Sequence, residues 1–142
     1  MSDGDALVVD ASVGVKLLLE EEGSGEARRI LGDPRGAWLH VPDIFFAECG
    51  HVFRRAVIRT GLPPRTAERA TADLALLAWT SWPVRGMAEE AVCLANARGL
   101  AVHDACYVVL SDRTGAPLLT ADRKLHGRLA GTRHRVRGLW EM

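Results

Sequence analysis

The stretch LVVDASV at residues 7–13 decides the fold class of this chain. Three apolar residues suited to a short buried strand run directly into Asp10, and small and apolar residues that suit a helix follow. The same order recurs in PLLTADRKL at residues 117–125, where Asp122 follows the apolar run. Short strands that alternate with helices in this way predict an α/β domain with a mainly parallel sheet.

Five strands and several longer helices are predicted outward from these two stretches. The predicted strands are Leu7 to Val9, Trp38 to Val41, Trp82 to Val84, Pro117 to Thr120 and Val136 to Leu139. Apolar spacings of three and four predict a helix from Pro42 to Gly61 and a second from Thr66 to about Trp79, which together form a helical hairpin. The other predicted helices are Val13 to Leu19, Gly25 to Leu31, Met87 to Arg98, Asp104 to Arg113 and Asp122 to Ala130.

Length and composition indicate one folded domain over residues 1–142. The chain is 48% apolar and 25% charged, which is typical of globular proteins. Its three cysteines are odd in number and widely spaced, which favours reduced thiols over a disulfide framework. No apolar run approaches the ~20 residues of a membrane span, and the first residues are acidic where a secretory signal would be basic. We therefore expect a soluble cytoplasmic protein.

The charges sum to zero, with 18 basic and 18 acidic residues, so the composition does not indicate a strongly basic nucleic-acid-binding protein. They are unevenly placed, however. Residues 1–26 carry seven acids and a single Lys, whereas residues 113–142 carry seven bases and two acids. A second basic group comprises Arg54, Arg55, Arg59, Arg65 and Arg69. Such groups either hold a phosphate backbone or form solvated helix faces, and charge alone does not decide between these alternatives.

Four acids stand where an α/β sheet brings side chains together. Asp10 and Asp122 follow strands, Asp104 begins a helix, and Glu48 lies in the first turns of the long helix. Each of them has a simpler explanation as a helix cap, a first-turn acid or part of a polar helix face. The argument for a functional site rests on the four acids taken together. All four have apolar or small neighbours, and α/β sheets place their sites at the carboxyl ends of strands.

Converging carboxylates repel one another, and without a cation some of them take up protons. Oxygen-only ligand sets select hard cations such as Mg²⁺ or Mn²⁺, and these ions assist phosphodiester hydrolysis. Other catalytic classes lack their motifs, since the chain has no Gly-x-Gly-x-x-Gly, no Gly-Lys-Ser/Thr and no Gly-x-Ser-x-Gly. A phosphoaspartyl phosphatase needs a second acid two positions after Asp10, where this chain has Ser12. A receiver domain needs its acceptor at a central strand end, where this chain has the helix around Glu48.

Four stretches in order carry a family resemblance: VVDASV at 8–13, FAE at 46–48, HDACY at 103–107 and LTADRKL at 119–125. They resemble the four motifs of PIN-domain ribonucleases, and the chain length and motif order resemble the VapC toxins of toxin–antitoxin pairs. The resemblance implies a PIN-like three-layer α/β/α sandwich with a protruding helical hairpin, Mg²⁺- or Mn²⁺-dependent endonucleolytic cleavage of RNA, a homodimer, and a cognate VapB-like antitoxin. His103 departs from the pattern, because an aromatic residue is common there.

The resemblance also implies roles for individual residues. The metal-binding and catalytic acids carried over from the family are Asp10, Glu48, Asp104 and Asp122, with Ser12 and Thr120 beside the site. We expect the basic groups to position the RNA backbone, through Arg54, Arg55, Arg59, Arg123 and Lys124. Asp112, eight residues beyond Asp104, is expected to have a solvated surface role instead. The alternative function is a noncatalytic PIN-like module that binds nucleic acid or protein.

Overall fold

Five short strands alternate with seven helices along the part of the chain that the computed structural model describes, residues 6–32 and 38–142. The strands are β1 Leu7–Val9, β2 Leu39–Pro42, β3 Trp79–Trp82, β4 Leu118–Thr120 and β5 Val136–Gly138. The helices are α1 Ala11–Gly14, α2 Ser24–Leu31, α3 Phe45–Thr60, α4 Pro64–Ala75, α5 Ala88–Arg98, α6 Val102–Thr114 and α7 Arg123–Leu129. Single 3₁₀ turns occupy Val15–Leu17, Val84–Met87 and Leu139–Glu141.

The strands form one sheet in the order β3-β2-β1-β4-β5, and every pairing in it is parallel. β1 is central, because Leu7 is in register with Leu39 of β2 and Val8 with Leu118 of β4. The mixed α/β fold with helices flanking a parallel sheet is thus confirmed. From β1 the chain proceeds outward to β2 and β3 on one side and later to β4 and β5 on the other. The carboxyl ends of β1 and β4 therefore form the topological switch point, where α/β sheets bind ligands.

Helix α6 is the centre of the core. Its residues from Ala105 to Ser111 are all buried, and it contacts β1, β2 and β4. A helix that is apolar on all sides is stable only when other elements cover it, so α6 lies against the sheet. Helices α1 and α3 approach each other closely at Gly14, because an added Cβ there would lie 2.5 Å from the buried ring of Phe45. Within residues 6–32 and 38–142, no helix combines the length and hydropathy of a membrane span.

The predicted helical hairpin is formed by α3 and α4, which pack against each other. Gly61 ends α3 with a left-handed φ of 74°, a conformation that favours glycine. Pro64 opens α4, where its fixed φ suits the first helical turn and its missing N–H costs no hydrogen bond.

Several predicted boundaries were wrong, and the clearest error concerns β3. This strand spans Trp79–Trp82 rather than Trp82 to Val84, and α4 ends at Ala75 rather than near Trp79. β3 is an edge strand whose side chains are mostly exposed, so it has no apolar run to reveal it, and its pairing with Leu39–Pro42 sets its position. α6 begins at Val102, two residues before Asp104, which places that acid in the first turn.

Candidate active site

The four predicted acids occupy the carboxyl edge of the sheet. Asp10 directly follows β1, and Asp122 follows the neighbouring strand β4. Glu48 lies in the first turn of α3, just after β2, and Asp104 lies in the first turn of α6. Because α6 leads into β4 and so runs against the strand direction, its N-terminal end lies at this same edge. The negative charges of Glu48 and Asp104 raise the pKa of Asp10, so the three carboxylates are electrostatic neighbours.

Two hydroxyl groups hold the Asp10 carboxylate. Ser12 Oγ donates a hydrogen bond to Asp10 Oδ2 at 2.6 Å, and Thr120 Oγ1 donates to the same oxygen at 2.8 Å. The hydroxyls are fixed in turn by backbone N–H groups, since Ala121 N donates to Ser12 Oγ and Asp122 N donates to Thr120 Oγ1, both at 3.0 Å. The network joins the ends of β1 and β4 and holds the Asp10 carboxylate between them.

Asp10 is the most perturbed of these acids. It is 6% exposed, and burial raises its pKa from 3.8 to about 6. The hydroxyl donors Ser12 and Thr120 oppose that shift because they stabilise the ionised form, while the charges of Asp104 and Glu48 add to it. A buried carboxyl group among other acids is a feature typical of functional sites.

Tyr107 and His103 hold Glu48. Tyr107 is fully buried, and its hydroxyl donates to Glu48 Oε1 at 2.6 Å. Burial raises the pKa of Tyr107, so the phenol keeps the proton that this hydrogen bond requires. His103 Nε2 lies 3.7 Å from Glu48 Oε2 and 3.6 Å from Asp104 Oδ1, so the ring stands between the two acids. Burial raises the pKa of Glu48, and Tyr107 and His103 counteract part of that effect.

Asp104 and Asp122 differ in how their carboxylates are engaged. Burial raises the pKa of Asp104, the nearby His103 lowers it, and the charge of Asp122 raises it further. Asp122 caps α7, since its Oδ1 accepts from the backbone N–H groups of Lys124 at 2.9 Å and Leu125 at 3.1 Å. The cap explanation weighed for Asp122 is therefore correct as far as Oδ1 is concerned. Asp10 occupies the corresponding position before α1 but makes no capping hydrogen bond.

The donor chemistry of this edge suits a hard divalent cation, since Asp10, Glu48, Asp104 and Asp122 offer only carboxylate oxygens. Burial and mutual repulsion raise the pKa values of three of them, which is the electrostatic condition that a bound cation relieves. The side chains are not gathered around one point, however. Within residues 6–32 and 38–142, no three Asp, Glu, His or Cys residues are arranged to hold a metal ion.

The residues predicted to contact the RNA backbone lie on α3 and at the start of α7. Arg54, Arg55 and Arg59 are exposed along α3, and the first of them stands about 9 Å beyond Glu48 at 1.5 Å per residue. Lys124 is exposed in the first turn of α7. The guanidinium of its neighbour Arg123 lies over the ring of Trp140, 4.2 Å from the ring centroid.

Sequence reasoning left two residues of this site without a role. Tyr107 stands in the quoted HDACY stretch but was not singled out, because a hydroxyl on a buried helix gives no sign of its partner. His103 was noted only as a departure from the family pattern, and the structure places it against Glu48 and Asp104. Asp112 is not merely solvated, since it lies 3.0 Å from His134 Nδ1 and 3.4 Å from Arg133 Nη1.

Comparison with known proteins assigns the family. A profile described as PIN domain matches residues 7–130. The chain is also 35% identical over 120 residues to Ribonuclease VapC9 of Mycobacterium tuberculosis, which covers 84% of this chain and 87% of that protein. The chain belongs to the PIN-domain family. Among PIN domains it groups with the VapC ribonucleases.

Solved PIN-domain structures share its fold. The sarcin–ricin loop cleaving toxin VapC20 of Mycobacterium tuberculosis superimposes with a TM-score of 0.66 at 18% identity, covering 89% of this chain and 96% of that one. A toxin–antitoxin complex from Klebsiella pneumoniae gives a TM-score of 0.68 at 18% identity, with 96% of this chain and 100% of that one covered. At these identities the likeness concerns the fold.

Proposed function

We propose that this PIN-domain protein is a Mg²⁺- or Mn²⁺-dependent endoribonuclease and the toxin of a VapBC-type pair. The observation that carries the proposal is the buried Asp10 carboxylate at the switch point of the sheet, with its pKa raised to about 6 beside Glu48 and Asp104. Family membership gives the reaction class, since the relative named above is a ribonuclease.

In this proposal Asp10, Glu48, Asp104 and Asp122 hold the cation. A bound divalent cation supplies a water of lowered pKa and neutralises charge on the phosphate oxygens. Ser12 and Thr120 orient Asp10 through their hydrogen bonds to Oδ2, and Tyr107 orients Glu48 through Oε1. These partners make the proposed ligands rigid, which keeps the conformational cost of assembling the site low.

The RNA backbone is assigned to basic side chains around the acids. Arg54, Arg55 and Arg59 offer exposed guanidinium groups along α3, and Arg123 and Lys124 follow Asp122 at the start of α7. Contacts to phosphate fix the register of a nucleic acid without reading its sequence. Contacts of this kind therefore position the RNA strand, and any base preference requires contacts to the bases themselves.

The proposed partners are RNA, a cognate VapB-like antitoxin and a second copy of this chain. The antitoxin is supported by the fold shared with the toxin–antitoxin complex from Klebsiella pneumoniae. We further propose that residues 1–142 form a single PIN domain and that the protein acts in the cytoplasm, where an RNA-cleaving toxin meets its substrate.

The test compares the wild-type protein with Asp10→Asn on a structured RNA pool in Mg²⁺, in Mn²⁺ and in chelator. We expect cleavage that requires the metal and falls by about a hundredfold or more in the variant, the size of effect seen when one electrostatic contact at a reacting centre is lost. Asp73→Asn in α4 is the matched control and retains wild-type cleavage. Isothermal titration with Mn²⁺ measures metal binding independently of cleavage.

A different outcome separates the alternatives. The acids are structural if the wild-type protein and Asp10→Asn give the same RNA cleavage result and neither protein binds Mn²⁺, provided that both are folded. The noncatalytic binding module then replaces the nuclease.

A further inference from the structure

A cavity of about 350 Å³ opens beside the candidate active site, within the size range of ligand pockets. Its lining includes Lys16, Glu22, Glu26, Ala121, Arg123 and Trp140. We call it the Trp140 cavity. It is formed where the turn after α1, the start of α2, the start of α7 and the C-terminal 3₁₀ turn meet.

The Trp140 cavity borders the acid cluster at Ala121, which lines the cavity. The backbone N–H of Ala121 donates to Ser12 Oγ, and Ser12 Oγ donates to Asp10 Oδ2. Asp122, the next residue after Ala121, is one of the four acids. Two lining residues, Ala121 and Arg123, therefore flank an acid of the proposed site, which places the cavity on the side of the acids where the RNA continues in the proposed function.

One wall of the cavity is a preorganised stack. The Arg123 guanidinium lies 4.2 Å from the Trp140 ring centroid. The Trp140 ring packs over Gly138, where an added Cβ would collide with it, and against His126 edge-on at 5.0 Å. Glu141 fixes this arrangement by contacting His126 Nε2 at 2.8 Å and accepting from Gly138 N at 2.7 Å. Proteins stack unpaired RNA bases on such guanidinium planes and aromatic rings.

Another part of the lining is acidic. It contains Glu22 and Glu26, and the one lysine nearby is already engaged. Lys16 Nζ lies 3.0 Å from Glu21 Oε1 and donates to the carbonyl oxygen of Glu22 at 2.6 Å. Carboxylates repel a phosphate and accept hydrogen bonds from N–H groups. The cavity is therefore suited to a base rather than to the backbone.

Guanine is the base that fits these two parts of the lining best. Its Watson–Crick edge presents the ring N1–H and the exocyclic amino group side by side, and a carboxylate accepts two parallel N–H donors with its two oxygens. Adenine and cytosine offer one amino group on that edge, next to an acceptor that a carboxylate repels.

We propose that the Trp140 cavity binds a guanine base of the RNA near the scissile phosphate, stacked on the Arg123 guanidinium that Trp140 supports, with its donors towards Glu22 and Glu26. In this role Arg123 contacts a base rather than the phosphate backbone. This inference rests on the proposed function and deepens it, because it names the part of the protein that selects the cut site.

The test uses Glu22→Gln, Glu26→Gln and the double variant, which keep the side-chain shape but remove the charged acceptor. Glu89→Gln on α5 is the matched control, since this exposed glutamate lies outside the cavity. Each protein cleaves an RNA library with random bases, and sequencing gives the preference at every position beside the cut. We expect guanine to be preferred about tenfold at one position, as a good bidentate contact provides. The preference falls to about twofold or less in the double variant and is kept in Glu89→Gln.

A second measurement does not depend on cleavage. Fluorescence anisotropy gives the affinity of each Glu variant, made in the Asp10→Asn background, for short RNAs that differ only by guanine, inosine or adenine at one position. Inosine lacks the exocyclic amino group, so we expect guanine to bind more tightly than inosine unless Glu22 and Glu26 are both replaced.

The results separate this inference from the proposed function. Metal-dependent cleavage without any guanine preference, or with a preference that the double variant retains, overturns the base site and leaves the nuclease standing. If the wild-type protein does not cleave RNA, the nuclease fails and the anisotropy series decides whether the cavity binds guanine. Equal affinity for the three RNAs overturns the inference there as well.

Discussion

The two ends of helix α6 carry acids in opposite situations. At the N-terminal end, Asp104 faces other carboxylates, and burial and the charge of Asp122 raise its pKa. At the C-terminal end, Asp112 lies between a cation and a histidine, 3.4 Å from Arg133 Nη1 and 3.0 Å from His134 Nδ1. Both acids belong to one helix of 13 residues, yet only the first lies at the carboxyl edge of the sheet.

This contrast separates a functional acid from a structural one. Asp112 has partners of its own, and through them it ties α6 to the segment before β5. The acids at the other end raise one another's pKa, which is unfavourable for the folded protein unless a ligand compensates it. A cluster that costs stability and is nevertheless held in place by hydrogen bonds is what a binding site for a cation requires.

The largest effect that we expect concerns the pH dependence of stability. Because the pKa of Asp10 is raised from 3.8 to about 6 in the folded protein, folding favours its protonated form. Its contribution is fully present below pH 3.8 and is lost as the pH rises through about 6. Asp10→Asn mimics the protonated side chain, so in chelator at pH 7 it should exceed the wild-type free energy of unfolding by about 3 kcal/mol.

Urea unfolding between pH 4 and pH 7.5 measures this difference. The gap between the two proteins should be small at pH 4, widen through pH 6, and narrow again when Mg²⁺ is added at pH 7. A gap that does not change with pH would mean that Asp10 is not a buried, ionising group, and the contrast between the two ends of α6 would lose its basis.

The second effect is on cleavage and compares the two ends of α6 directly. Asp104→Asn should lower kcat/KM for RNA by about a hundredfold, because it removes a charged group from the reacting centre. Asp112→Asn makes the same chemical change eight residues further along the same helix, about 12 Å from Asp104 at 1.5 Å per residue. It should alter kcat/KM by less than about threefold, because sites this far apart act nearly independently. Similar losses in both variants would show that position along α6 does not matter for the reaction.

The smallest effect is on stability. Here we expect the substitution of Asp112 to be more damaging than that of Asp104, which is the reverse of their effects on cleavage. Asp112→Ala leaves the buried His134 without its Nδ1 partner, and His134 Nε2 already has none among the described residues. We expect a loss of about 1 to 3 kcal/mol in the free energy of unfolding at pH 7. Asp104→Asn should be neutral or stabilising in chelator, because it removes charge repulsion. Thermal and urea unfolding of both variants in the same buffer check the reversal.

Much of the fold was predictable because its signals are local. The apolar run before Asp10 predicted β1 with its correct bounds. Apolar residues spaced three and four positions apart predicted α3 with its end at Gly61. β3 was misplaced because its residues, Trp79–Trp82, are mostly exposed and their pairing with β2 is not local. The same limit applies to the site, where the pattern indicated Asp10 and Asp122 as strand-end acids but gave no sign of the hydrogen bond from Tyr107 to Glu48.

The sequence by itself determined the order of strands and helices, the four acids and their association with strand ends and helix starts, and the family resemblance, because each of these depends on residues close together in the chain. Only the tertiary structure decided which groups meet across long separations. It placed Thr120 on Asp10, His103 between Glu48 and Asp104, and Arg123 on Trp140. The pKa of Asp10 also depends on burial and neighbouring charge, which exist only once the sheet and α6 have come together.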